Sequence, residues 1–202
     1  MTQYPRMADI LPEGISGNVR LEHFEVTQKD SDFTRLRSAI GYRDEYVPPG
    51  RYAKLVVGHT LMMTDTPMEQ HTNHGVVRAA KGHVLIAGLG LGMILHPICC
   101  KPEVQKVTVV ELSPDVAKLV GPYLPPKVEV VVQDIFEYRP ARGVKFDCLY
   151  FDIWPSINPD NLPEMAHLHR RFSHYKSSDA WMASWCRDTL LRRRAQRQRH
   201  RW

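Results

Sequence analysis

Hydrophobic and polar positions keep two different rhythms along this chain. Up to about residue 64, short apolar stretches alternate with polar ones. VRLEHFEV (19–26) shows partial strand alternation, and YAKLVVGHTLMMT (52–64) holds two strand-like runs around Gly58-His59, which predict a β-hairpin. Between them DSDFTRLRSAI (30–40) reads as a short helix capped by Asp30 or Ser31, and Val47-Pro48-Pro49-Gly50 breaks the chain. From residue 83 the rhythm becomes apolar runs separated by helical stretches. VLIAG (84–88), KVTVVEL (106–112), KVEVVVQD (127–134) and FDCLYFDI (146–153) predict four strands, the first without polar alternation, as in a strand buried on both faces. Helices are predicted from Gly92 to about Cys100, over SPDVAKLV (113–120) with Ser113 as N-cap and Pro114 at its first position, and over 159–172; a short helical stretch follows the third strand.

Strand–helix–strand at this spacing implies a parallel sheet with right-handed crossovers. The predicted fold class is α/β: a Rossmann-like parallel sheet with helices on both faces. An N-terminal β-rich element spans 1–64, a core 65–186 and an Arg-rich tail 187–202. After residue 153 no fifth strand is evident. DAWMASWCRDTLLRRR (179–194) shows helical spacing at Trp181, Met182, Trp185 and Leu190, which predicts a core or homodimer face. The C-terminal half is therefore expected to be abbreviated, with four parallel strands closed by helices or by a partner subunit.

Composition narrows the class. With 43% hydrophobic and 24% charged residues in 202, the chain is expected to form a soluble domain with a sizeable core. It contains no apolar run near the roughly 18 residues that span a bilayer, and its first residues lack the pattern of a secretory signal. The four cysteines, at 99, 100, 148 and 186, form no regular framework, so reduced thiols and a cytoplasmic location are expected. Net charge is +5, yet the segment from Arg187 onward carries seven arginines against one aspartate, which leaves the remainder at −1. The body is therefore no basic platform, and weak nucleic-acid contact is expected only through the tail. His167, His169 and His174 lack the spacing of three or four that one helical face requires, so no metal site is expected.

The candidate chemistry starts at HVLIAGLGLGMIL (83–95). Gly88, Gly90 and Gly92 occupy the first strand-to-helix turn, where missing Cβ atoms let the backbone approach a ligand near free N–H groups. Glu111, ending the second strand, is placed for ribose hydroxyls. Asp134, ending the third, is placed for an adenine amine, with Ile135 and Phe136 against the ring. The NAD fingerprint G-x-G-x-x-G requires glycine at 93, where Met93 stands.

The series LMMTDTPMEQHTN, HVLIAGLGLGM, VTVVELSPDV, VEVVVQDIFEY and FDCLYFDIWP resembles the spermidine synthase-like branch of the class I S-adenosylmethionine (SAM) superfamily, over residues 52 to about 165. The resemblance implies a small N-terminal β-element before a Rossmann-like core, and SAM as cofactor. Ile86 takes the place where most methyltransferases carry an acid. It also implies that Asp152, ending the fourth strand, orients the acceptor or takes its proton. Glu69 and Gln70, after the hairpin, and Trp154 fall where the acceptor is bound. Two departures from aminopropyltransferases matter: Leu91 replaces the aspartate of their GGGDGG loop, and Ile153-Trp154-Pro155 replaces the second acid of their D-S-S-D-P motif. These substitutions rank a SAM-dependent methyltransferase, with a small-molecule or macromolecular acceptor, ahead of an aminopropyltransferase using decarboxylated SAM. A non-catalytic nucleotide-binding or assembly module is a third reading.

Overall fold

The computed structural model describes residues 4–39 and 46–199, with the side chains of 197–199 left aside. Ile40, at the end of the first predicted helix, and residues 200–202 of the tail lie outside it.

The N-terminal element is a four-stranded antiparallel sheet in chain order: β1 (Gly14–Ser16), β2 (Val19–Val26), β3 (Gly50–Val57) and β4 (Thr60–Thr64). The predicted hairpin is β3–β4, and α1 (Gln28–Ala39) is the helix between β2 and β3. Buried Asp65 fastens this sheet. Its carboxylate accepts from Ala53 N at 2.8 Å and from Met7 N at 2.6 Å.

A helix the sequence left unassigned, α2 (Pro67–Ala79), leads into the second sheet. There the chain runs β5 (Gly82–Ala87), α3 (Leu95–Cys99), β6 (Val104–Glu111), α4 (Pro114–Val120), β7 (Val128–Val132), β8 (Phe146–Phe151), α5 (Leu162–Phe172), β9 (Lys176–Ser184) and α6 (Arg187–Arg199). All five strands are parallel, in the order β7-β6-β5-β8-β9. Ser113 caps α4 as expected, its Oγ accepting from Val116 N. The stretch after β7 is a turn rather than a helix.

The sheet is buried on both faces. Val84 and Ile86 of β5 pack with Val76 and Val77 of α2, Leu95 and Ile98 of α3 and Val116 of α4. Leu85 and Ala87 face the other way, onto Leu162, Met165, Leu168 and Phe172 of α5 and Leu190 of α6. The first of these cores continues into the antiparallel sheet through Val19, Leu21, Ala53 and Leu55.

The absent fifth strand is corrected here: β9 pairs with β8 over most of its length, and the helix begins only at Arg187. Trp181 and Ala183 pack on one face, Ala180 and Met182 on the other. β9 is a half-buried edge strand whose apolar residues, Ala180 to Ala183, form one short run that periodicity cannot separate from a helix. The C-terminal segment is thus less abbreviated than expected, and α6 is anchored by fully buried Leu190.

Candidate active site

A cavity of about 730 Å³ opens at the carboxyl ends of the parallel strands and runs under the β3–β4 hairpin. That is the ligand-binding edge of an open α/β sheet, at a volume typical of small-molecule sites. The strand order lays out the candidate residues in a row: Asp134 after β7, Glu111 at the end of β6, the glycine turn after β5, Asp152 after β8 and Trp185 after β9.

The three glycines have three different reasons. Gly88 has φ +93°, and a Cβ there would sit 2.1 Å from the carbonyl oxygen of Asp152, so strand packing excludes a side chain. Gly92 has φ +71° and faces Leu124 at 2.8 Å and Val120, away from the cavity. Gly90 alone of the three turns its missing Cβ toward the hairpin, where it would meet the Met63 sulfur at 2.5 Å. Gly92 is therefore a packing glycine and not a lining residue, while Gly88 lines the cavity with backbone.

Glu111 is buried and tightly oriented. One carboxylate oxygen accepts from Leu89 N at 2.7 Å and the other from Ser113 N at 2.8 Å. Each oxygen keeps a lone pair for a further donor. Asp134 lines the cavity, accepts from Phe136 N at 2.8 Å, and is followed by buried Ile135, with Phe136 alongside.

The acids on the other side of β5 stand in a different environment. Burial first, and then the charge of Glu69, push Asp152 up to about 8. Glu69, in the first turn of α2, is pushed by burial to about 7. Two carboxylates thus share one desolvated space, a pairing the sequence did not reveal. Gln70 turns away and donates to Asp65 O at 3.1 Å, so it does not line the cavity. Trp154 is buried and lines the cavity with its ring, its Nε1 donating to Glu164 at 2.8 Å. Trp185, expected as core or dimer face, is a further lining residue, with Nε1 donating to Thr72 at 3.2 Å. Leu91 is fully buried in the core, so its side chain does not meet the cavity. Among the described residues no cluster of His, Cys, Asp or Glu is arranged to hold a metal, and His169 instead pairs with Ser184 at 2.9 Å.

The strand order, glycine turn and preceding hairpin define a Rossmann-like α/β fold with an antiparallel sheet ahead of the parallel one. Comparison with one solved structure agrees at the level of fold. Spermidine synthase from Thermotoga maritima superposes with a TM-score of 0.51 at 14% identity, covering 86% of this chain and 55% of that one. The N-methyltransferase NodS from Bradyrhizobium japonicum WM9 gives a TM-score of 0.48 at 13% identity over 59% of this chain and 68% of that one. In sequence, the polyamine aminopropyltransferase of Desulforudis audaxviator (strain MP104C) is 31% identical over 106 residues, 48% of this chain and 36% of the relative. The match thus spans about a third of that curated relative. No family model matches.

Proposed function

We propose that this protein is a SAM-dependent methyltransferase. The observation that carries the reading is the row along the sheet edge. One cavity gathers a ribose acid (Glu111), an adenine acid with apolar ring contacts (Asp134, Ile135, Phe136), a glycine turn that lines it through Gly88 and Gly90, and a carboxylate at the next strand end (Asp152). SAM fits these groups: Glu111 has lone pairs to spare, and Gly88 and Gly90 line the cavity, the latter beside the flexible end of Met63. Bound SAM supplies an electrophilic methyl on a sulfonium. Displacement there needs mainly approach and alignment, which the chain provides by orienting both partners and excluding water. Asp152 orients the acceptor or takes its proton, and burial sets that carboxyl in the range where proton exchange near neutral pH is effective.

Aminopropyl transfer is a second reading, favoured by one specific feature. Among the described residues that line the cavity there are four acids and no Lys, Arg or His. The α-carboxylate of SAM would find only backbone N–H groups, whereas decarboxylated SAM has no carboxylate to satisfy. Glu69 also restores a second acid beside Asp152.

Incubation with SAM or decarboxylated SAM and a mixture of amines, followed by mass spectrometry, separates the two. Methylated product from SAM supports the first reading. Aminopropylated product with methylthioadenosine release establishes the second, and neither product leaves a non-catalytic nucleotide-binding module. The arginines of α6 and beyond are proposed as a weak polyanion contact outside the cavity.

A further inference from the structure

The β8 side of the cavity is chemically unlike the rest. Its acids are Glu69 and Asp152, and its other walls include Met62, Met68, Ile153, Trp154, Ile157 and Trp185. The polar atoms of those walls are already committed. The indole of Trp154 donates to Glu164, that of Trp185 to Thr72, and the hydroxyl of nearby Thr64 pairs with Thr66. Glu111 and Asp134 lie two and three strands away from β8, roughly 10 and 14 Å along the sheet edge. Two carboxylates that share a desolvated space are not both ionised unless a cation joins them. No basic side chain among the described lining residues does so.

One ammonium between Glu69 and Asp152 meets this need. A second ammonium further along the same molecule would lie against methionine, isoleucine and indole with no anion to pair it, which is strongly unfavourable. We infer that the acceptor is a monoamine: a single ammonium received by the Glu69–Asp152 pair, on an apolar alkyl or aryl body seated among Met62, Met68, Ile157 and the two indoles. The inference rests on the transferase reading and holds for either transferred group. In the reaction the ammonium gives one proton to the carboxylate pair. The freed nitrogen lone pair forms the new N–C bond, while the S–C bond breaks with its electrons returning to sulfur. A sulfonium donor thereby becomes a neutral thioether, and the product is a secondary ammonium.

Calorimetry on the full chain with 2-phenylethylamine, putrescine and 2-phenylethanol, each with and without methylthioadenosine, tests the acceptor directly. The amine should bind at least ten-fold more tightly than putrescine or the alcohol. E69Q and D152N should each weaken amine binding at least ten-fold while leaving methylthioadenosine affinity and the far-ultraviolet circular dichroism unchanged. Tighter binding of putrescine, or equal binding of the alcohol, overturns the monoamine assignment. Binding of methylthioadenosine without binding of the amine also overturns it and leaves the transferase reading standing. Amine binding without any nucleoside binding does the reverse.

Discussion

The two halves of the cavity use the same residue types to opposite ends. On the β6–β7 side, Glu111 and Asp134 are held by backbone N–H groups of Leu89, Ser113 and Phe136, so their charges are compensated before any ligand arrives. On the β8 side, Glu69 and Asp152 are desolvated against each other and against apolar walls. A compensated carboxylate is a rigid acceptor suited to neutral hydroxyls and amines. An uncompensated pair is a receptor for positive charge and a store for a proton. Environment rather than residue identity separates the two halves.

The contrast breaks most sharply at the glycines between the halves. Gly88→Val places a side chain on the Asp152 carbonyl in a left-handed backbone, and should cost about 3 kcal/mol or more of stability, seen as early unfolding in urea. Gly90→Val also strains a left-handed backbone (φ +52°) but meets the flexible end of Met63 rather than backbone, so it should destabilise less than Gly88→Val, stay folded by circular dichroism and lose nucleoside binding. If both variants unfold alike, the turn is structural throughout. Next in size, Glu111→Ala should weaken nucleoside binding by about 1.5–3 kcal/mol, the scale of hydrogen bonds to a charged group.

The β8 half is sharpened by pH. Folding raises Asp152 from 3.8 to about 8 and Glu69 from 4.5 to about 7, so the fold favours their protonated forms. Their contribution to stability is complete below about pH 4 and is lost as pH rises through about 7 and 8. The groups around them, Tyr150, Cys186 and Tyr4, have raised values and stay neutral over that range. Ligand-free protein should therefore melt at lower temperature at pH 8 than at pH 5. Asp152→Asn should recover part of the loss, at about 2–4 °C per kcal/mol, and an unchanged pH profile would contradict the shared desolvation.

The smallest effect belongs to the tail. Truncation after Leu191 spares buried Leu190 and should abolish weak, salt-sensitive nucleic-acid binding in a filter assay without changing nucleoside affinity. Equal binding by the truncated chain would shift that contact to the body.

The compensated half was far more legible in the sequence than the other. Glu111, Asp134 and the glycine turn follow directly from strand ends, because an open parallel sheet presents its ligands there. Asp152 was legible for the same reason. Glu69 was only a position after the hairpin, since its meeting with Asp152 depends on how α2 packs on β8, where Asn73 accepts from the hydroxyl of Tyr150 at 2.9 Å. Gln70, one residue on, is held by the Asp65 carbonyl instead, and nothing in the sequence separates the two. Trp185 was hidden with β9: the mix of Trp181, Met182 and Trp185 fits a helix face as well as a strand covered on both sides. Gly92 followed the motif but serves packing, because motif spacing does not tell which side of a turn is occupied.

The central claim is that the sheet edge from Asp134 to Asp152 is a site for an adenosyl sulfonium donor. Titration calorimetry with SAM, decarboxylated SAM, methylthioadenosine and NAD tests it most directly. The account predicts binding of methylthioadenosine and of at least one sulfonium, lost or strongly weakened in Glu111→Ala, and no binding of NAD. Binding of NAD alone, or nucleoside binding that Glu111→Ala leaves unchanged, would contradict it.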